Sequence, residues 1–177
     1  EWYRVMMPGR LVSIHCMNLP AMKERDGFIG VKDFRGDVIR WMQACGFIFH
    51  SEVCIWKNPV VEMQRTKALG LLHKQIRKDS AMSIMGIPDY LVTFRKPGMN
   101  PEPLDHTHEN YSVDHWQQVA SPVWDEYPAP VWWDINQSAT LQRKSARTEK
   151  DEKHICPLQL PVIERCVELW SKEHEIV

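Results

Sequence analysis

The chain has 177 residues, and its 22 Lys and Arg against 23 Asp and Glu give a formal net charge of −1. This length suffices for one ordinary domain with a modest appendage, so a mini-protein that depends on disulfides or metals is excluded. Hydrophobic residues make up 44% and charged residues 25% of the sequence. No apolar run approaches the roughly 18 residues of a membrane span, and we therefore expect neither a membrane-spanning nor a disordered chain.

The cysteines and the two ends of the sequence indicate where the protein resides. The five cysteines are scattered, odd in number and without a C-x-x-C pair, which predicts reduced thiols in the cytoplasm. No signal peptide is visible at the beginning. The chain starts without Met and ends on an acidic-to-apolar step, so we expect a fragment of a longer protein.

The near-neutral total conceals an uneven distribution of charge. Residues 55–100 contain 8 basic and 3 acidic side chains, whereas residues 101–142 contain 0 basic and 7 acidic ones. The acidic stretch is also rich in Pro and Trp. This shift in composition predicts an inserted or appended region between about residues 97 and 150.

The first third of the chain alternates helical and strand patterns. Residues 2–6 are typical of the end of a helix stopped by Pro8 and Gly9, and residues 11–16 form a short apolar run of strand length. We expect a loop over residues 17–35. Asp37 is then the predicted cap of a helix that ends at Gly46, with its apolar side formed by Val38, Trp41, Met42 and Cys45.

The remaining elements continue the alternation. Residues 47–56 and 90–94 have strand composition, and residues 63–78 have helical composition. A last helix is predicted to begin near Pro161, with one apolar face formed by Leu160, Ile163, Val167 and Trp170. Helices that alternate with buried strands predict an α/β sheet rather than a bundle or a sandwich.

Two groups of basic residues are candidate contacts to the phosphates of nucleic acid, since a phosphate surface needs clustered cations. Each group could also be an ordinary solvated helix face or loop. The first group lies in the basic middle and comprises Lys57, Arg65, Lys67, Lys74, Arg77 and Lys78. The second group comprises Arg143, Lys144 and Arg147.

Three further segments could bind a ligand. Residues 153–161 precede an amphipathic helix, so the helix N-terminus could receive an anion or a cofactor carboxylate, or the segment could be a rigid connection. His106, His108 and His115 could hold a metal, but they lack a second closely spaced pair and we expect no metal site. The Trp-rich run could stack on bases or anchor its segment to the domain; it comprises Trp116, Trp124, Trp132 and Trp133.

Four segments, taken in order, resemble a DNA amino-methyltransferase that acts on adenine or cytosine. They are Tyr3-Arg4-Val5-Met6-Met7-Pro8-Gly9-Arg10-Leu11-Val12, Trp56-Lys57-Asn58-Pro59, Asp89-Tyr90-Leu91-Val92-Thr93-Phe94-Arg95-Lys96-Pro97 and Lys153-His154-Ile155-Cys156-Pro157-Leu158-Gln159-Leu160. Their order is similar to the β arrangement of this family, in which the catalytic half precedes the recognition region and the cofactor-binding half comes last.

The resemblance implies a partial Rossmann-like methyltransferase sheet of the α/β class, S-adenosylmethionine as methyl donor, and duplex DNA as partner with the target base flipped out. It implies a catalytic half over residues 1–97, a loop-rich recognition region over 98–150, and a cofactor-side helix over 151–177. Lys57 and Asn58 match the segment beside the flipped base. The residues implied to bind the cofactor are Lys153, His154, Ile155 and Pro157. A cytoplasmic enzyme of DNA methylation, as in restriction-modification, is the expected parent.

The sequence departs from the family pattern at two places. It contains neither the D-P-P-Y-like tetrapeptide that holds the target amine nor the F-x-G-x-G-like loop that cradles the cofactor. We therefore expect the chain alone to be inactive. A non-catalytic nucleic-acid-binding module derived from the same fold is the alternative, and an interaction protein that binds a partner through its Trp-rich acidic segment is a third. The sequence does not indicate an oligomeric state.

Overall fold

The computed structural model describes residues 1–66, 77–82, 86–103, 106, 111–120, 131–140 and 158–171. The chain forms two compact units, Glu1–Pro101 and Glu102–Val177. The roles expected for residues 1–97, 98–150 and 151–177 remain predictions. Within the described part of the chain, no helix is long and apolar enough to cross a membrane.

The first unit is built on a sheet whose strands alternate with helices. Its central strand pairs antiparallel with a strand on each side, so the two outer strands run in the same direction. The predicted strands are confirmed with slightly different ends. The described elements are α1 (Trp2–Val5), β1 (Leu11–Met17), β2 (Leu19–Ala21), α2 (Lys23–Asp26), β3 (Gly30–Lys32), α3 (Phe34–Ala44), β4 (Ile48–Ile55), α4 (Pro59–Thr66), a 3₁₀ turn (Ser80–Met82) and the central strand β5 (Asp89–Arg95).

The core lies between one face of this sheet and α3. Val38 and Met42 project from α3, as predicted, and belong to one buried cluster with Cys16 of β1 and with Val92 and Phe94 of β5. Trp41, which the periodicity also placed on this side, is instead 59% exposed. The apolar side of α3 is therefore narrower than the sequence pattern predicts.

The start of α3 differs from the prediction. The cap is Asp33, whose side chain accepts a hydrogen bond from the backbone N–H of Gly36 at 3.0 Å. Asp37 lies inside the first turn, where a carboxylate favours the positive end of the helix dipole. The predicted end at Gly46 is close to the observed one, since the helix ends at Ala44 and Gly46 has a φ of 94°.

Residues 17–35, predicted to be a loop, contain a small hairpin. Its strands β2 and β3 pair antiparallel, with Leu19 opposite Lys32. The turn between them contains α2, and the Asp26 carboxylate forms ion pairs with Arg25 and Lys32 there. The strands have three residues each, which is too short for the two-residue alternation to be recognised in the sequence.

In the second unit the structure describes α5 (Val113–Ala120), β6 (Val131–Trp132) and α6 (Leu160–Trp170). Trp132 is buried, and the Arg165 guanidinium lies 5.2 Å from its ring centroid and pairs with Asp134. The helix predicted from Pro161 is confirmed, but Val162 is its fully buried residue whereas Leu160 is 38% exposed.

Candidate functional site

The sheet of the first unit has one edge at which its two co-directional strands end together. Met17, the last residue of β1, and Ile55, the last residue of β4, both lie opposite Asp89, the first residue of β5. Ligands of open α/β sheets bind outside the carboxyl ends of such strands. This carboxyl edge is therefore the candidate site.

Four ionisable side chains meet at the carboxyl edge, and we call them the edge cluster. The Lys57 ammonium lies 2.6 Å from Oδ1 of Asp89 and 3.5 Å from Oε1 of Glu62. The Nε2 atom of His15 lies 2.9 Å from Oδ2 of Asp89. Since an ionised carboxylate only accepts, Nε2–H of His15 donates this hydrogen bond. The side chains of Lys57, Glu62 and Asp89 are buried, whereas that of His15 is 13% exposed.

The edge cluster keeps Asp89 ionised in the interior. Burial acts to raise the pKa of this carboxyl group, but the hydrogen bond from His15 and the charge of Lys57 outweigh burial and hold the pKa below its ordinary value. The same carboxylate acts on its neighbour in β1. Burial, assisted by the charge of Asp89, raises the pKa of the Cys16 thiol to about 11, so this thiol stays protonated at neutral pH.

Each member of the edge cluster is positioned by a different element. His15 projects from β1, Asp89 begins β5, and Glu62 lies in α4. Lys57 lies between β4 and α4, where Asn58 caps α4 by accepting hydrogen bonds from the N–H groups of Val60 at 2.9 Å and Val61 at 3.4 Å. The segment 56–58 is therefore tied both to the first turn of α4 and to β5.

Lys57 does not belong to the predicted basic surface. Its side chain is only 2% exposed and its ammonium is paired with two carboxylates, so it cannot reach phosphates at the surface. Asn58 is partly exposed and its carboxamide oxygen is used in the cap of α4. That these two residues lie beside a flipped base, as the resemblance implies, remains a prediction.

The other predicted DNA contacts are only partly described. Arg77 and Lys78 are exposed, as a phosphate contact requires, and the backbone of Arg65 belongs to α4. The structure does not bring Lys57 to the surface that Arg77 and Lys78 occupy. The remaining candidates lie outside the described residues: Lys67, Lys74, Arg143, Lys144, Arg147 and the cofactor candidates Lys153, His154, Ile155 and Pro157.

Three members of the edge cluster were missed by the sequence reasoning. His15 and Asp89 each stand within or beside an otherwise apolar strand, and a charged residue in a buried strand is a signal of a paired group. Glu62 gave no comparable signal, because a glutamate in a short helix is usually solvated. Among the described residues, no group of three His, Cys, Asp or Glu side chains could hold a metal ion.

The described members of the Trp-rich run are of two kinds, buried and exposed. Trp132 is buried and anchors its segment, which agrees with the second of the two interpretations given to the Trp-rich run. Trp116 and Trp133 are 39% and 50% exposed. Trp124 lies outside the described residues.

The sequence matches no family model and has no significant match among curated proteins. The fold is similar to two structures of a provisionally assigned DNA modification methylase from Thermus thermophilus. Its complex with S-adenosyl-L-methionine gives a TM-score of 0.61 at 18% identity, over 96% of this chain and 54% of that chain. Its selenomethionine derivative gives 0.56 at 17% identity, with the same coverage. The chain thus spans about half the length of these solved chains. The predicted α/β fold is confirmed, and it is similar to the fold of this methylase.

Proposed function

We propose that this chain is part of a DNA methyltransferase that transfers a methyl group from S-adenosylmethionine to an exocyclic amine of adenine or cytosine. The supporting observation is the likeness of fold to a DNA modification methylase in complex with S-adenosyl-L-methionine, over 96% of the chain. In this proposal the parent is a cytoplasmic enzyme of DNA methylation, as in restriction-modification, and duplex DNA is its partner.

The proposal gives each part of the chain a role. Residues 1–97 supply the later strands of the catalytic sheet, residues 98–150 the recognition region, and residues 151–177 the first cofactor-side helix. The exocyclic amine of a base is inaccessible to a methyl donor inside the duplex, so the base must leave the stack. The carboxyl edge, with Lys57 and Asn58, is the side of the pocket that we assign to this base.

The residues proposed to hold S-adenosylmethionine have suitable chemistry. Lys153 and His154 offer N–H donors to a carboxylate, and Ile155 and Pro157 offer apolar surface to the methionine side chain. When bound, the cofactor supplies an activated methyl group on a positively charged sulfur. The described start of α6 at Leu160, with Pro161 in its first turn, agrees with a helix that follows the cofactor segment.

Calorimetric titration of S-adenosylmethionine into the complete parent enzyme tests this assignment. His154→Ala should weaken affinity by roughly 2- to 150-fold, the equivalent of one hydrogen bond to a neutral or charged group. His106→Ala, an exposed histidine in the second unit, is the matched control and should leave affinity unchanged. Unchanged affinity in His154→Ala, with a lowered melting temperature, would show that the segment only stabilises the helix.

A second candidate function is a nucleic-acid-binding module without catalysis. It requires only a cationic surface that binds phosphates, and Arg77 and Lys78 are exposed, as such a surface requires. Both candidates predict that the chain alone transfers no methyl group from labelled S-adenosylmethionine to DNA. They differ in the titration, because a pure binding module has no affinity for the cofactor.

A further inference from the structure

The edge cluster is not explained by stability. Removing charged groups from water costs several kcal/mol for each ion, and a buried ion pair is often no more stabilising than apolar residues of similar volume. The cluster contains three buried charges, and these form two ion pairs: Lys57 pairs with Asp89 and with Glu62. An arrangement this costly at the candidate site calls for a role that apolar packing cannot provide.

Ion pairs depend on the positions of particular atoms, whereas apolar packing does not. A charge cluster can therefore hold a segment of the chain in one defined position. Lys57 Nζ contacts two carboxylates, one at the start of β5 and one in the first turn of α4. Asp89 is in turn fixed by His15 of β1. Three elements of the first unit are thus tied to the ammonium group of Lys57. The residue that precedes Lys57, Trp56, is 39% exposed.

We propose that Lys57 is a positioning residue that fixes segment 56–58 as a rigid wall for an unpaired base at the carboxyl edge. This inference rests on the proposed function for the identity of the ligand. Lys57 acts through its neighbours and does not itself touch the base. The exposed aromatic ring of Trp56 gives the wall a surface on which any base can stack.

The test separates positioning from stability with a neutral version of the edge cluster. The triple variant Lys57→Met, Glu62→Gln, Asp89→Asn removes all three buried charges and nearly conserves their volumes. Its melting temperature should lie close to that of the wild type, whereas Lys57→Met alone should melt lower because it takes the ammonium away from two buried carboxylates. Glu62→Gln alone is a milder variant, which keeps the contact between Lys57 and Asp89.

The first readout is hydrogen exchange of the Val60 and Val61 amides, which donate to Asn58. In the triple variant these amides should exchange about tenfold faster than in the wild type, and in Glu62→Gln about threefold faster, because segment 56–58 opens locally without global unfolding. The second readout uses a short DNA duplex with one bulged 2-aminopurine. The wild-type chain should prefer it about tenfold to a fully paired duplex, since no unstacking is needed, and the triple variant should lose this preference.

Each result decides a separate question. Wild-type exchange rates and an unchanged preference for the bulged duplex, in a triple variant of normal melting temperature, would overturn the positioning role. If the triple variant melts early, the exchange rates in Glu62→Gln decide instead, and rates equal to the wild type would overturn it. If the wild-type chain itself shows no preference for the bulged base, segment 56–58 is not a wall for a base, while the exchange rates still decide whether Lys57 positions its segment. The proposed function is tested separately by the cofactor titration.

Discussion

The edge cluster depends on the buried carboxylate of Asp89. It receives the ammonium of Lys57 on one oxygen and the imidazole of His15 on the other. Asp89→Asn removes the negative charge nearest to the Lys57 ammonium and leaves the carboxylate of Glu62 at the longer distance of 3.5 Å. The free energy of unfolding should fall by about 3–5 kcal/mol, the usual cost of breaking a buried pair from one side.

Urea denaturation of Asp89→Asn beside Asp37→Asn measures this cost. Asp37 also pairs with a cation, Arg40 at 2.7 Å, but both side chains of that pair are about half exposed. Water screens such a pair, so its loss should change stability far less. Equal losses in the two variants would mean that burial adds nothing to the contact of Asp89.

The pH dependence of stability follows from the same residue. Because the folded protein holds the pKa of Asp89 below its ordinary value of 3.8, the unfolded chain binds this proton first as the pH falls. The stabilisation by the ionised carboxylate is complete above this ordinary value and is lost as the pH falls through the lower, folded-state pKa. The difference in unfolding free energy between wild type and Asp89→Asn should therefore shrink below about pH 4.

This prediction is checked by urea denaturation of both proteins between pH 6 and pH 3. The Asp89→Asn variant is the control for the wild type, because every carboxyl group other than that of Asp89 is present in both proteins. A difference that stays constant down to pH 3 would contradict the assigned direction of the shift.

At the scale of elements, the start of α3 is decided by one side chain. The helical periodicity of the sequence predicts Asp37 as the cap of this helix. The structure shows Asp33 as the cap, because its carboxylate reaches the N–H of Gly36 while Asp37 pairs with Arg40. Asp33→Ala should reduce the free energy of unfolding by about 1 kcal/mol, the usual effect of losing a cap.

Asp37→Ala is the matched comparison for this cap, since it removes a carboxylate from the same turn without removing the cap. Thermal melting followed by circular dichroism at the helix band ranks the two variants. A larger loss in Asp37→Ala than in Asp33→Ala would place the start of the helix where the sequence pattern predicted it.

The sequence predicts long elements well and short or paired ones poorly, for physical reasons. Strand β5 has seven residues and combines β-branched with aromatic side chains, so its composition predicts a strand. The hairpin of β2 and β3 depends on contacts such as that of Asp26 with Lys32, which the local sequence pattern does not predict. In the same way, Lys57 has the composition of a surface residue, and only the fold, which brings Asp89 to it, shows that it is buried.

At the scale of the whole molecule, the proposed partner is a polyanion although the net charge is only −1. Binding to duplex DNA must then depend on local groups of cations, and its strength must fall as salt rises, because each phosphate contact releases a counterion. Arg77 and Lys78 are exposed members of the basic middle, and Lys74 belongs to the same predicted group.

Replacing Arg77 and Lys78 together by Ala should weaken DNA binding at low salt and flatten the plot of log affinity against log salt by up to about 1.8, which is roughly 0.9 for each phosphate that is no longer neutralised. Adding Lys74→Ala should flatten it further.

The control is Lys23→Ala, an exposed lysine of α2 outside the basic middle, which should leave the slope unchanged. Lys57→Met should also leave the slope unchanged, because its buried ammonium contacts carboxylates and not phosphates. If fluorescence anisotropy shows the wild-type slope in the double variant, Arg77 and Lys78 form a solvated helix face, and the DNA surface must lie elsewhere on the molecule.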